Sequence, residues 1–111
     1  MPTTYKVLGQ LAAASAVTAT ETIYAVPAAT QAVISTLSVC NTSTVSTTYR
    51  VAVRPVGTAV TGRHYIVYDA TIPANDSVYL TLGISLGPTD VLAAFAGNAF
   101  LTFNAFGAEI T

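Results

Sequence analysis

The side chains able to do chemistry near neutral pH are few: the chain holds one histidine, His64, and one cysteine, Cys40. With Asp69, Asp76 or Asp90 and one of several serines, His64 would supply the base of a Ser-His-Asp arrangement that activates a hydroxyl nucleophile. No Gly-x-Ser-x-Gly elbow accompanies it, and a lone histidine beside Tyr65 reads as a packed strand residue. Cys40 and His64 would form a nucleophile pair, but Cys40 ends the apolar run Val33 to Val39, where a free cysteine behaves as a small buried hydrophobe. One cysteine allows no internal disulfide, and one cysteine plus one histidine do not complete a four-ligand zinc site. The carboxylates are Glu21, Asp69, Asp76, Asp90 and Glu109. A glycosidase needs two of them converging on a sugar, and calcium needs several oxygens from one loop. Asp76 and Asp90 instead sit in turn sequences, where aspartate accepts hydrogen bonds from its local backbone. Nothing resembles a phosphate-binding glycine loop, a dinucleotide fingerprint or a metalloprotease helix. The expectation is a protein without catalytic residues, metal or cofactor.

Arg50 and Arg54 fall on one side of a strand with Ala52 between them. Three readings fit: a solvated face, a pair with a carboxylate of a neighbouring subunit, or an anion site. Asn41-Thr42-Ser43 and Asn75-Asp76-Ser77 match the glycosylation acceptor pattern, which arises by chance in any chain rich in serine and threonine.

The elements that would carry these residues are strands. Tyr49, Val51 and Val53 alternate with Thr48, Arg50, Ala52 and Arg54, and Val78, Leu80 and Leu82 alternate with Ser77, Tyr79 and Thr81. Turn signals separate such runs: 27–30, 41–44, 57–58, 73–76, Gly83, 87–90 and Gly97-Asn98. Strands are expected near 4–9, 21–26, 32–40, 46–54, 64–72, 77–82, 91–96 and 99–106, an all-β single-domain sandwich of jelly-roll or immunoglobulin-like type. Threonine and valine, 18 and 13 in number, favour that assignment, and only the alanine-rich 11–19 invites a helical turn. Residues 1–19 read as a first strand and an alanine-rich arm or connector, and 20–111 as the sandwich body.

Lys6 followed by Val7 to Val17 imitates a signal peptide, but Gly9 and Gln10 interrupt the apolar run and Tyr5 to Leu8 reads as a strand. Val91 to Ala108 imitates a membrane span, yet two asparagines and two glycines make insertion poor, and Gly97-Asn98 stands where a hairpin turn belongs. No membrane partner is expected.

Composition bounds the rest. Of 111 residues, 52% are hydrophobic and 8% charged, which excludes disorder and leaves room for one core. A net charge of −1 provides no footprint for nucleic acid or anionic lipid. In 64–72 one alternating set holds His64, Ile66, Tyr68, Ala70 and Ile72, and the other Tyr65, Val67, Asp69 and Thr71, so both sides are largely apolar. A sandwich strand normally has one wet face. Its outer side is then covered either by a loop of its own chain or by another subunit, and the scarcity of charge favours the subunit. That reading makes the protein an obligate homo-oligomer of cyclic symmetry, with Arg50, Arg54, His64, Ile66 and Tyr68 as interface residues.

Thr22-Ile23-Tyr24-Ala25-Val26-Pro27-Ala28-Ala29-Thr30 and Ala32 to Asn41, with its Cys40-Asn41 end, resemble a pattern in small virion proteins of tailed bacteriophages. There an aromatic-x-Val-Pro-Ala turn joins two strands. The resemblance continues through Arg50 to Pro55, His64 to Asp69, Leu80 to Ile84, Thr89 to Val91 and Phe103 to Ile110, covering most of the chain. The chain is similar to small structural proteins encoded among phage head and tail genes, including those of phages of cyanobacteria and marine bacteria. The resemblance implies a capsid decoration (cement) protein on the virion surface, a homotrimer at local threefold positions bound to the major capsid protein. A tail-tip, baseplate or fibre component, with carbohydrate-binding loops, is the other role it implies. Under the first, Met1 to Ala19 would be an arm lying across a neighbour or the shell.

Overall fold

A computed structural model describes residues 3–12, 21–97 and 100–111. Eight strands form: β1 (Thr3–Ala12), β2 (Glu21–Ala25), β3 (Gln31–Asn41), β4 (Thr47–Arg54), β5 (Tyr65–Ile72), β6 (Ser77–Leu86), β7 (Val91–Ala96) and β8 (Leu101–Ile110). They build two four-stranded antiparallel sheets, ordered β1-β8-β3-β6 and β2-β7-β4-β5. The strand alternation read from the sequence dictates the packing. Tyr49 and Val51 of β4 and Leu101, Phe103 and Ala105 of β8 are buried between the sheets. Tyr49 meets Phe103 edge-on across the layers, with ring centres 6.4 Å apart. Such fully buried side chains contribute about 1.5–3 kcal/mol each.

Strand one pairs with eight, two with seven, three with six and four with five. Of the two sandwich types expected, this nested pairing is the jelly roll, in which nearly every connection crosses between layers. Among consecutive strands, β4 and β5 alone share a sheet. The segment at Gly97 is therefore no hairpin, because β7 and β8 lie in different sheets. Among the described residues 3₁₀ turns occupy Pro55–Gly57 and Gly62–His64; of the alanine-rich stretch, 11–12 end β1 and the rest, where a helical turn was expected, lies outside the described residues. Of the proposed arm, residues 3–12 form an edge strand along β8, and the remainder lies outside the described residues.

Polar side chains hold the two ends of the sandwich. At one end Asn41 is 1% exposed, and its amide donates to the carbonyl oxygens of Val45 (2.9 Å), Pro73 (3.2 Å) and Ile72 (3.4 Å). Its side-chain oxygen accepts from the backbone N–H (3.0 Å) and hydroxyl (2.8 Å) of Ser43. A side chain so enclosed is no glycan acceptor, whatever its sequence pattern. At the other end the Asp90 carboxylate accepts from the N–H groups of Val56 (2.9 Å) and Gly87 (2.8 Å). Asp76 accepts from the N–H of Ser77 (2.8 Å), so both aspartates do the turn work expected of them. Val56, a β-branched residue, is held at φ 52, a conformation it resists. Asp90→Ala frees that strained turn and strands two N–H groups. The expected loss is about 1–3 kcal/mol in urea unfolding, and an unchanged midpoint would show that solvent replaces the carboxylate.

Candidate functional site

The first candidate surface is the outer face of the β1-β8-β3-β6 sheet. These four strands contain two charged residues, Lys6 and Glu109, and the two pair with each other at 2.8 Å. Glu109 alternates with Ala108 and Ile110, so it turns inward, where it accepts a 2.5 Å hydrogen bond from the hydroxyl of Tyr24 on the opposite sheet. The outward positions are left without charge: Thr3, Tyr5 and Val7 on β1, Phe106, Ala108 and Ile110 on β8, Val33 on β3 and Tyr79 on β6. Tyr5 is 84% exposed, Tyr79 71% and Phe106 37%.

Strand irregularities shape this face. Opposite residues 105–107 of β8, β1 carries the extra residue Leu8 and β3 the extra residue Ser35, and the β3–β6 register shifts at the same level. Bulged strands bend. A groove of about 630 Å³ opens there, lined by Tyr5, Val33, Phe106, Ala108 and Ile110 together with the paired Lys6. Gly107 permits the bend, because a Cβ there would land on the carbonyl oxygen of Val33.

The inward tie gives a pH dependence. Hydrogen bonds from Lys6 and then from Tyr24 hold the Glu109 carboxyl below its ordinary value of 4.5, against a smaller opposing effect of burial. Burial, followed by the bond to Glu109, pushes the Tyr24 hydroxyl well above its usual range. A depressed carboxyl stabilises the fold fully above its unfolded pKa, and that contribution is lost as pH falls through the folded one. Stability should therefore fall from about pH 4.5 downward, and Glu109→Gln should flatten part of that fall in urea midpoints taken from pH 6 to 3. Asp69, whose carboxyl the hydrogen bond from Arg50 also lowers, adds to the slope in the same direction. An identical slope in the variant would remove Glu109 from the linkage.

The second surface is the outer face of β2-β7-β4-β5, and here lie the residues nominated from sequence. Arg50 does not wait for a neighbour's carboxylate: its Nε and Nη2 reach Asp69 of the same chain at 2.6 and 3.2 Å. That bond holds the guanidinium still more firmly in its charged form. The guanidinium lies 4.1 Å from the ring centre of Tyr68, 4.9 Å from Phe95 and 5.7 Å from Tyr65. Arg54 lies on the same side of β4 but donates to the carbonyl oxygens of Thr58 (2.7 Å) and Gly57 (2.8 Å). His64 sits in a 3₁₀ turn, not a strand, and its Nδ1 accepts from the N–H of Thr61 (3.0 Å). Ile66 is half exposed.

The expected alternation in 64–72 also fails. Register shifts against β4 move Val67, Ala70 and Ile72 together toward the core, while Tyr65 and Tyr68 meet edge-on with ring centres 5.0 Å apart. The outer side is covered in part by the chain itself. Ala52, opposite Tyr65, and Ala93 are fully buried, and the 55–64 connection packs on β4 and β7.

No constellation for the chemistry weighed above assembles. His64, Asp69, Asp76 and Asp90 are each engaged elsewhere, Cys40 is half buried, and no cluster of three or more histidine, cysteine or acidic residues exists among the described residues. Among them no helix is long and apolar enough to cross a membrane, and the apolar stretch 91–108 contributes to two strands. Sequence reading missed Tyr5, Phe106 and the groove, and also Phe95 and Asp69 as partners of Arg50. The chain matches no known family model, no curated protein and no solved structure.

Proposed function

We propose that this chain is a non-enzymatic structural protein of a tailed-phage virion, a homotrimer that decorates the capsid and binds the major capsid protein. One observation carries the self-association: a four-stranded sheet whose only two charges, half-exposed Lys6 and Glu109, pair with each other, leaving the rest of its outer face uncharged with Tyr5, Tyr79 and Phe106 in solvent. Aromatic side chains offer about 150–250 Å² each when fully exposed, so with Tyr5 at 84%, Tyr79 at 71% and Phe106 at 37% these three supply on the order of half of the ~800 Å² that each partner gives a stable interface. Depletion of charge with enrichment of aromatics is the composition of an interface core. The phage assignment rests on the sequence resemblance, above all the Tyr-Ala-Val-Pro-Ala turn and the Cys40-Asn41 strand end. A part that works by contact needs shape and apolar surface, not ionisable groups, and this agrees with a chain in which the aspartates serve turns and one surface pair.

The test is co-sedimentation with capsids of the same phage that lack accessory proteins. Binding that saturates near one copy per capsid protein supports the decoration role. Saturation at tens of copies or fewer, or binding to tails alone, would replace it with a tail-tip, baseplate or fibre role.

A further inference from the structure

On the opposite sheet from the proposed self-association face, Arg50, Asp69, Tyr65, Tyr68 and Phe95 form one fixed cluster that the fold does not need. Tyr68 is 60% exposed and Asp69 about half exposed. A surface ion pair of this kind adds little to stability. Asp69 lies at φ 53 in the bulge where Tyr68 and Asp69 together oppose Arg50, a left-handed conformation that aspartate adopts readily, and there its carboxylate meets both Nε and Nη2 of Arg50. The Tyr65 ring stands at 79° to that of Tyr68, and Arg50 lies against Tyr68, so the exposed aromatic is fixed in place.

We infer that this cluster is a binding site for a neutral hexopyranose unit of a glycan. The C–H face of a pyranose ring covers the exposed Tyr68, and two neighbouring hydroxyls divide between Asp69 and Arg50, one donating to the carboxylate and one accepting from the guanidinium. Charge selects the class. Arg50 and Asp69 cancel, and Arg54, on the same side of the strand, is committed to two loop carbonyls. A phosphate or a uronic acid therefore meets no net positive field, while a hydroxylated neutral ligand finds donor and acceptor side by side. A second copy of the chain would have to desolvate the ion pair, which opposes an apolar contact here. The inference does not depend on the capsid role or on the groove face.

The experiment is saturation-transfer NMR of the full chain with methyl glycosides of glucose, galactose, mannose and N-acetylglucosamine, and with the corresponding disaccharides, at millimolar concentration. At least one is expected to receive transfer, to lose tenfold or more in affinity with Tyr68→Ala, to lose several-fold with Asp69→Asn, and to keep its affinity with Tyr68→Phe. The mass of the assembly should be the same in all three variants. Absence of transfer to every sugar, or transfer that survives Tyr68→Ala, overturns the site. A fall in mass with Tyr68→Ala overturns it as well, by placing Tyr68 between subunits.

Discussion

Tyr5→Glu is expected to convert the assembly to monomers without unfolding them. Tyr5 lies on the outward side of an edge strand opposite Ala108 and is 84% exposed in the single chain. A glutamate there stays in water in the monomer and costs its fold little. In the assembly the same carboxylate would enter a largely apolar contact whose charged residues, Lys6 and Glu109, are already paired with each other. An unpaired charge in a desolvated contact costs several kcal/mol, about 3–5 when one partner of a buried pair is missing. At about 1.4 kcal/mol per factor of ten, association weakens by at least a hundredfold. Tyr5→Phe keeps the apolar body and should keep the mass. Equilibrium sedimentation at matched concentrations checks both. A Tyr5→Glu protein that retains the parent mass would move the interface off this face.

Asn41→Ala is expected to be the most damaging polar substitution. The buried amide joins the β3–β4 crossing to the β5–β6 crossing, donating to carbonyls of Val45, Ile72 and Pro73 and accepting from Ser43. Backbone bonds run along the same seam, from the N–H of Asn41 to Asp76 and from the N–H of Asn75 to Ser43. Alanine removes the donors and leaves no room for bulk water to replace them. Each buried polar group left without a partner costs about 1–3 kcal/mol, so a loss of about 3 kcal/mol in urea unfolding is expected, with an unchanged slope against denaturant. A loss below about 1 kcal/mol would mean that the two crossings hold without the side chain. The seam also explains why the acceptor pattern at 41–43 is structural.

Strand number was legible because local alternation marks each strand by itself: Tyr49, Val51 and Val53 need no partner to be read as one face. Turn roles were legible for the same reason, since Asp76 acts on Ser77 and Asp90 on Gly87, close in sequence, whereas the bond from Val56 to Asp90, 34 residues apart, was not. What escaped was whatever depends on register. Gly97 looked like a hairpin because sequence cannot tell a turn within a sheet from a crossing between sheets. Bulges at Leu8 and Ser35, and the shifts along β5, reverse the side on which later residues fall, so the face drawn through His64, Ile66, Tyr68, Ala70 and Ile72 does not exist. Side-chain partners were hidden by separation along the chain. Asp69 stands 19 residues from Arg50, and Glu109 stands 85 from Tyr24. The groove face was hidden most deeply, because Tyr5, Val33 and Phe106 become neighbours only when β1, β3 and β8 are aligned.

The groove face of the β1-β8-β3-β6 sheet is proposed to hold copies of this chain together. Light scattering coupled to size exclusion tests it most directly, on the full chain over a range of micromolar concentrations. A trimer held by this face gives a single species with three times the 11.4 kDa chain mass. A species of 11.4 kDa that persists at every concentration would contradict it.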